Sequence, residues 1–260
     1  PATMSTTPMS TITVFGGFPE DGQYVWSPFV TKLEARLRFA AIPYRVQAGS
    51  IPNVLQGKIP YVTIETASGK ETFADSDLAI KELICSGRMN YLNGDLTGTE
   101  KLQDLSLQAL LEDKLYTFQG YERWVANYTV MRDKTFESVP LLMRIILGKV
   151  MYKKQMRTLK GQGMGKFTPD ENLEIRREIW DMLAQTIEAS YVMCRGEEPF
   201  WVWGGDEPTE ADAVVFGFII SGLICKAAPQ TMAYIKNRPV LVQYARRIHD
   251  AYFPDYELWD

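Results

Sequence analysis

The spacing of apolar residues changes once along the chain. Up to residue 87 they form short β-like runs around one helical face, and beyond residue 98 they recur at helical spacing only. Thr11-Ile12-Thr13-Val14-Phe15 is rich in β-branched residues and is closed by Gly16-Gly17, which predicts a strand followed by a loop to Gln23. Ser27 then opens a helix with Pro28 in its first position, where a missing N–H costs nothing. Val30, Leu33, Leu37, Ala40 and Ala41 fall on one face of that helix. Tyr44 to Ala48 reads as a second strand, and strand–helix–strand at this length predicts a parallel βαβ unit. Ile59 to Thr66 alternates as a third strand, Ser68-Gly69 is a turn, Glu71 to Ala74 a fourth strand, and Ser76 to Cys85 a short helix.

After Gly87 the composition shifts. Residues 88–98 carry Asn, Gly and Asp with little periodicity and read as a linker. Helices are expected over residues 100–131, 138–160, 170–194, 209–225 and 239–252, with a glycine-rich break at 160–165. Thr209 and Asp212 have the spacing of a reciprocal capping pair, a folding device that starts the apolar helix from Ala213. The run from Ala213 to Cys225 is interrupted by Gly217, Ser221 and Gly222. It is shorter than the roughly 20 residues a membrane span requires, and it reads as a buried core helix.

A length of 260 residues fits two domains, expected at residues 11–87 and 99–256. The net charge of −4, with no Lys/Arg block that stands out as a phosphate track, argues against nucleic acid as a partner. Cys85, Cys194 and Cys225 lack CxxC spacing, which argues against zinc and a disulfide scaffold and fits a reducing, cytoplasmic setting. A lone His249 excludes a multi-histidine metal site. The first ten residues show no signal-peptide pattern, and Pro1-Ala2-Thr3 reads as an addition before a native start at Met4.

Three segments, Trp26-Ser27-Pro28-Phe29, Gly57-Lys58-Ile59-Pro60-Tyr61-Val62 and Ala74-Asp75-Ser76-Asp77-Leu78-Ala79-Ile80, occur in that order within eighty residues. In this order the chain resembles the glutathione transferase superfamily over nearly its whole length. The resemblance implies an α/β thioredoxin-like N-terminal domain followed by an all-helical C-terminal domain. The failed-axon-connections and metaxin-like branch resembles it most, through Ser27-Pro28-Phe29 with Lys32-Leu33-Glu34, the insertion between Val125 and Asp170, and the ending Tyr252-Phe253-Pro254-Asp255. Fungal transferases of secondary metabolism are similar. The chain departs from the family at Asp75, where Glu or Gln is usual, at Leu55-Gln56-Gly57-Lys58-Ile59, and at Ser27, where omega-like members carry cysteine.

The resemblance implies glutathione as the bound cofactor. Its thiol, with a pKa of about 8.5 by analogy to cysteine, must ionise to attack. A hydroxyl at a helix N-terminus favours the thiolate through its hydrogen bond and the helix dipole. Ser27 is placed for this, with simple helix capping as the alternative; Tyr24 is a second candidate catalytic donor. The resemblance further implies a cis Ile59-Pro60 bond that lets Ile59 pair with the cysteinyl backbone. Asp75 would meet the γ-glutamyl ammonium and Ser76 its carboxylate, with simple helix capping as the alternative, and Lys58 would meet the glycyl carboxylate or stand in solvent. Trp26, Tyr116 and Trp124 are candidates to line the site of an apolar electrophile, with ordinary core packing as the alternative. Lys32 is expected on the surface. The reaction is conjugation or double-bond isomerisation, since no cysteine stands ready for disulfide exchange; a non-catalytic scaffold is the alternative. A homodimer is implied. The methionine-rich insertion is expected to be either a lid over the electrophile or a pair of packed helices.

Overall fold

The computed structural model describes residues 11–17, 22–56, 59–66, 69–194 and 200–259. Its first part is a four-stranded sheet in the order β2-β1-β3-β4. The strands are β1 (Thr11–Phe15), β2 (Tyr44–Gln47), β3 (Tyr61–Thr66) and β4 (Gly69–Ala74). β2 runs parallel to β1, β3 is antiparallel to β1, and β4 is antiparallel to β3. The parallel pair is joined by α1 (Pro28–Phe39), as the pattern predicts. A short α2 (Ile51–Gln56), which the sequence pattern does not signal, precedes β3, and α3 (Ser76–Cys85) follows β4. Ile12, Val14, Val30, Leu33, Leu37, Val62, Ile64 and Leu83 form the buried core of this layer.

The remainder is helical. Thr97 caps α4 (Gly98–Ala109), with Glu100 reaching back to its N–H at 2.7 Å. The rod continues through a π-helical turn at Leu110–Leu115, α5 (Tyr116–Tyr121) and a second π turn at Glu122–Ala126. It stops at Asn127, whose backbone leaves the helical region, rather than running on to Met131. There follow α6 (Tyr128–Thr135), α7 (Leu141–Gly161), α8 (Pro169–Met193), α9 (Glu210–Ile224), α10 (Pro229–Lys236) and α11 (Pro239–Tyr252).

α9 is the centre of the molecule. Every residue from Ala211 to Leu223 is buried, and among the described residues no single helix is long and apolar enough to cross a membrane. Asp212 reaches back to the N–H of Thr209 at 2.7 Å and also accepts from the N–H of Val202 at 2.6 Å and the hydroxyl of Tyr244 at 2.6 Å. Gly217 lets α9 meet α1 backbone to backbone: a Cβ there would lie 2.5 Å from the carbonyl oxygen of Pro28.

The insertion consists of packed helices. Met151 joins Trp124, Phe136 and Val139, and Met164 joins Phe118 and Leu159, in two small cores. Gly148 admits α6, since a Cβ there would lie 2.6 Å from Arg132 Cδ and 2.8 Å from the Tyr128 hydroxyl. The structure therefore decides for packed helices over a lid.

α1 also ties down the C-terminal segment. The buried Glu34 carboxyl accepts from the Tyr256 hydroxyl at 2.5 Å, and Arg38 stacks 4.2 Å above the Phe253 ring while binding Asp255 at 2.8 Å. Burial pushes the Glu34 carboxyl up from 4.5 to about 7. Because the folded value exceeds the unfolded one, this group's stabilisation is complete below pH 4.5 and is lost as the pH rises through 7. Glu34→Gln keeps the neutral shape. It is expected to flatten the decline in stability between those pH values and to gain on the order of 3 kcal/mol relative to the parent above pH 7. Urea unfolding at both ends of this range checks it, and an unchanged pH slope contradicts the assignment.

Candidate functional site

The three sequence segments converge at one edge of the sheet. Tyr61, the first residue of β3, pairs with Phe15 at the end of β1 and with Ala74 at the end of β4. The Phe15 and Tyr61 rings stack at 4.4 Å. α1 and α3 both set out from this edge, so two helix N-termini share it. The Ile59–Pro60 bond is cis, and the Pro60 carbonyl accepts from the N–H of Asp75 at 3.1 Å.

Asp75 has φ 111°, in a region that an L-residue occupies at a cost of about 1–3 kcal/mol. Its Oδ1 caps α3, accepting from the N–H groups of Asp77 at 2.8 Å and Leu78 at 3.4 Å. Its Oδ2 takes no hydrogen bond among the described residues, and the side chain is exposed. Ser76 beside it is buried. Among the described residues Asp75 thus keeps one free carboxylate oxygen, an acceptor for a cation, beside a helix N-terminus whose Asp77 and Leu78 N–H groups it already caps.

Ser27 occupies the position before α1 with an extended backbone and makes no side-chain cap bond. Among the described residues its hydroxyl is therefore uncommitted at a helix N-terminus. The loop behind it is fixed from the helical part. The Trp26 carbonyl accepts from Ser221 Oγ at 2.5 Å and from Arg123 Nη1 at 3.3 Å, and Arg123 Nη2 donates to Ser221 Oγ at 3.0 Å. Arg123 is only 3% exposed. Among the described residues it has no carboxylate partner, and its Nε has no acceptor. The neighbouring Glu122 is taken by Arg176, by the N–H of Gln230 at 2.8 Å and by that of Thr231 at 3.2 Å. A buried cation without a counterion is expensive, and this one lies directly behind Trp26-Ser27. Both Glu122 and Arg123 belong to the second π turn, a geometry that recurs at functional sites.

Lys32, expected on the surface, is 3% exposed. It pairs with Glu112 at 2.5 Å and with Asp77, joining α1, α3 and the first π turn. It reaches inward because α1 is covered on both sides. A cleft of about 510 Å³ between α3 and α4 has Lys32 and Asp77 in its wall.

Other expected site residues fall differently. Tyr24 is buried, with its hydroxyl 2.8 Å from His249 Nδ1 and its ring among Phe216, Phe253 and Tyr256. Burial pushes its phenol above the ordinary range. It is a core residue of the helical part, which removes it as the catalytic donor. Trp124 is also a core residue, 8% exposed among Phe136, Val139 and Met151. Trp26 is half-buried against Cys225, Ala227 and Ala228. Tyr116 keeps 38% exposure and meets Phe29, two residues beyond Ser27, edge to face at 4.8 Å. Lys58 lies outside the described residues. Cys85, Cys194 and Cys225 are free, and burial pushes the Cys225 thiol up. Sequence reasoning missed Arg123 because an arginine on a helix reads as solvated; its place among aromatic neighbours was the only sign.

A family model described as "Glutathione S-transferase N-terminal domain" matches residues 28–130. The isoprene-epoxide glutathione S-transferase of Rhodococcus sp. (strain AD45) is 25% identical over 252 residues, spanning 93% of this chain and 99% of the relative. Among solved structures, glutathione transferase GSTFuA3 from Phanerochaete chrysosporium superposes with a TM-score of 0.57 at 15% identity, covering 98% of this chain and 100% of the other. CsGST83044 of Ceriporiopsis subvermispora, solved in complex with glutathione, gives 0.55 at 14% identity, covering 93% and 99%. At these identities the two structures speak to the fold.

Proposed function

Because this chain belongs to the glutathione transferase superfamily, we propose that it binds glutathione at the sheet edge and directs its thiolate at an apolar electrophile. The observation that carries this reading is Ser27: its hydroxyl stands uncommitted at the start of α1, with the unpaired Arg123 behind its loop. The Asp75 Oδ2 and the buried Ser76 at the start of α3 suit the ammonium and carboxylate of a γ-glutamyl group. The Ile59 backbone beside Pro60 suits the cysteinyl residue, and Lys58 the glycyl carboxylate. Residues 11–87 form the glutathione-binding unit in this reading and residues 99–256 the unit that receives the electrophile. A cytoplasmic location agrees with its three free cysteines.

The thiol loses its proton to solvent, and Ser27 donates a hydrogen bond to the resulting anion. The sulfur then forms a bond to carbon. On an unsaturated carbonyl compound the electron pair moves to oxygen and no group leaves; a proton then completes the conjugate, or loss of glutathione after rotation gives the isomer. On an epoxide, the chemistry named for the Rhodococcus relative, the C–O bond breaks and the oxygen takes a proton. Phe29 and Tyr116 provide the apolar wall nearest Ser27.

A homodimer belongs to the same proposal. Leu78, Tyr91, Leu102 and Leu105 are 58%, 48%, 64% and 60% exposed across α3, the linker and α4, an apolar face that a second copy would cover. Light scattering is expected to give twice the 29.6 kDa of one chain, and Leu102→Asp to halve it. A single-chain mass for the parent at low micromolar concentration contradicts the dimer.

Ser27→Ala is expected to raise the pKa of the bound thiol by about one to two units, the size of one charge-assisted hydrogen bond, and Arg123→Met, which acts through the Trp26 carbonyl, to raise it by less. Glutathione affinity near neutral pH changes by less than about threefold, since the anchoring residues remain. Ultraviolet titration of the bound thiolate measures this. An unchanged thiol pKa in both variants, with glutathione still bound, removes Ser27 and Arg123 from the chemistry.

A further inference from the structure

The insertion has a second surface that the glutathione site does not use. α7 spans 21 residues, a rod of about 30 Å, and carries Arg144, Lys149, Lys153, Lys154, Arg157 and Lys160 with no acidic residue, although the whole chain is net −4. Its inner side, with Gly148, Met151 and Leu159, packs against the rest of the protein. Outward, positions 142, 146, 149–150, 153, 157 and 160 follow one another at helical spacing along one stripe.

The stripe has two halves. At its beginning Leu142 is 79% exposed, Ile146 59% and Val150 56%, flanked by Leu141 at 62% and Met143 at 51%. Towards its end Lys149, Lys153, Arg157 and Lys160 are exposed, and no ion pair engages them among the described residues. The nearby carboxylates are committed at the other end: Asp133 pairs with Arg132 at 2.8 Å, and Glu137 with Lys134 at 2.7 Å.

We propose that α7 docks the protein on an anionic membrane surface. The apolar half enters the boundary between headgroups and acyl chains while the basic half binds lipid phosphates. Large apolar side chains and unpaired cations on one helix face, without acids, are the pattern of an interfacial helix. The cytoplasmic leaflet supplies the complementary charge. A second copy fits worse, because a two-fold contact through this stripe sets cations against cations. The surface lies on the insertion, apart from Ser27, Asp75 and Ser76, and suits a transferase whose apolar substrates partition into lipid.

The test is co-sedimentation with vesicles of phosphatidylcholine alone and of phosphatidylcholine with 30% phosphatidylserine, at physiological and at 1 M salt. Binding is expected to the anionic vesicles only, and to weaken strongly in 1 M salt. L142D/I146D and K149E/K153E should each weaken it at least tenfold with unchanged circular dichroism and melting temperature, since all four side chains are exposed. Failure to bind anionic vesicles overturns the proposal, as does binding that ignores both variants. A change of oligomeric mass in L142D/I146D without any vesicle binding by the parent assigns the stripe to a protein contact instead. Glutathione turnover of the soluble protein stays intact in either variant, so this outcome is separable from failure of the enzymatic reading.

Discussion

The backbone contact between α1 and α9 at Gly217 is the constraint on which the site depends. A Cβ at that position would sit 2.5 Å from the Pro28 carbonyl oxygen and 3.0 Å from the Lys32 N–H nitrogen, both main-chain atoms of the first turns of α1. With glycine there, the helical part reaches the loop that carries Ser27. Ser221, one turn further along α9, then bonds the Trp26 carbonyl, and Arg123 closes the same contact from the second π turn. The loop that carries the Ser27 hydroxyl thus belongs to one half of the molecule and is fixed by the other.

α1 explains how the halves hold together. Its apolar positions Val30, Leu33 and Leu37 enter the core of the sheet. Its cations Lys32 and Arg36 are buried as well and are paired outward to other elements, Lys32 with Glu112 and Asp77 and Arg36 with Glu210 at 2.7 Å, and the half-buried Arg38 is paired with Asp255. Each pair satisfies a charge that burial would otherwise make costly. These bonds fix register more than they add net stability, since desolvation offsets much of the attraction. Arg123 is the exception, the buried cation left without a carboxylate among the described residues, and it binds the Trp26 carbonyl beside Ser27.

Much of this was legible in the chain. The β-branched runs, the Ser-Pro helix start and the capping pair at Thr209 and Asp212 are local signals, and the corresponding elements stand where local physics puts them. The cis Ile59–Pro60 bond was legible only through the resemblance. The errors share one cause. A one-dimensional helical period assumes one buried face, so Lys32 on the charged side of α1 read as solvated and Arg123 went unnoticed. Tyr24 and Trp124 stayed open between site and core for the converse reason: an aromatic side chain near a functional loop has no sequence mark that separates pocket from core. The π turns at 110–115 and 122–126, which set the directions of Glu112 and Arg123, have no period that the sequence pattern would reveal.

The most direct measurement is the pKa of the glutathione thiol bound to Gly217→Ala, a change that leaves every side chain at the sheet edge intact. The added methyl must push α1 away from α9. The account predicts a thiol pKa raised by about one unit, with glutathione still held by the Asp75–Ser76 edge. A thiol pKa equal to the parent's, in a protein that binds glutathione and is merely less stable, would show that the helical part does not aim Ser27.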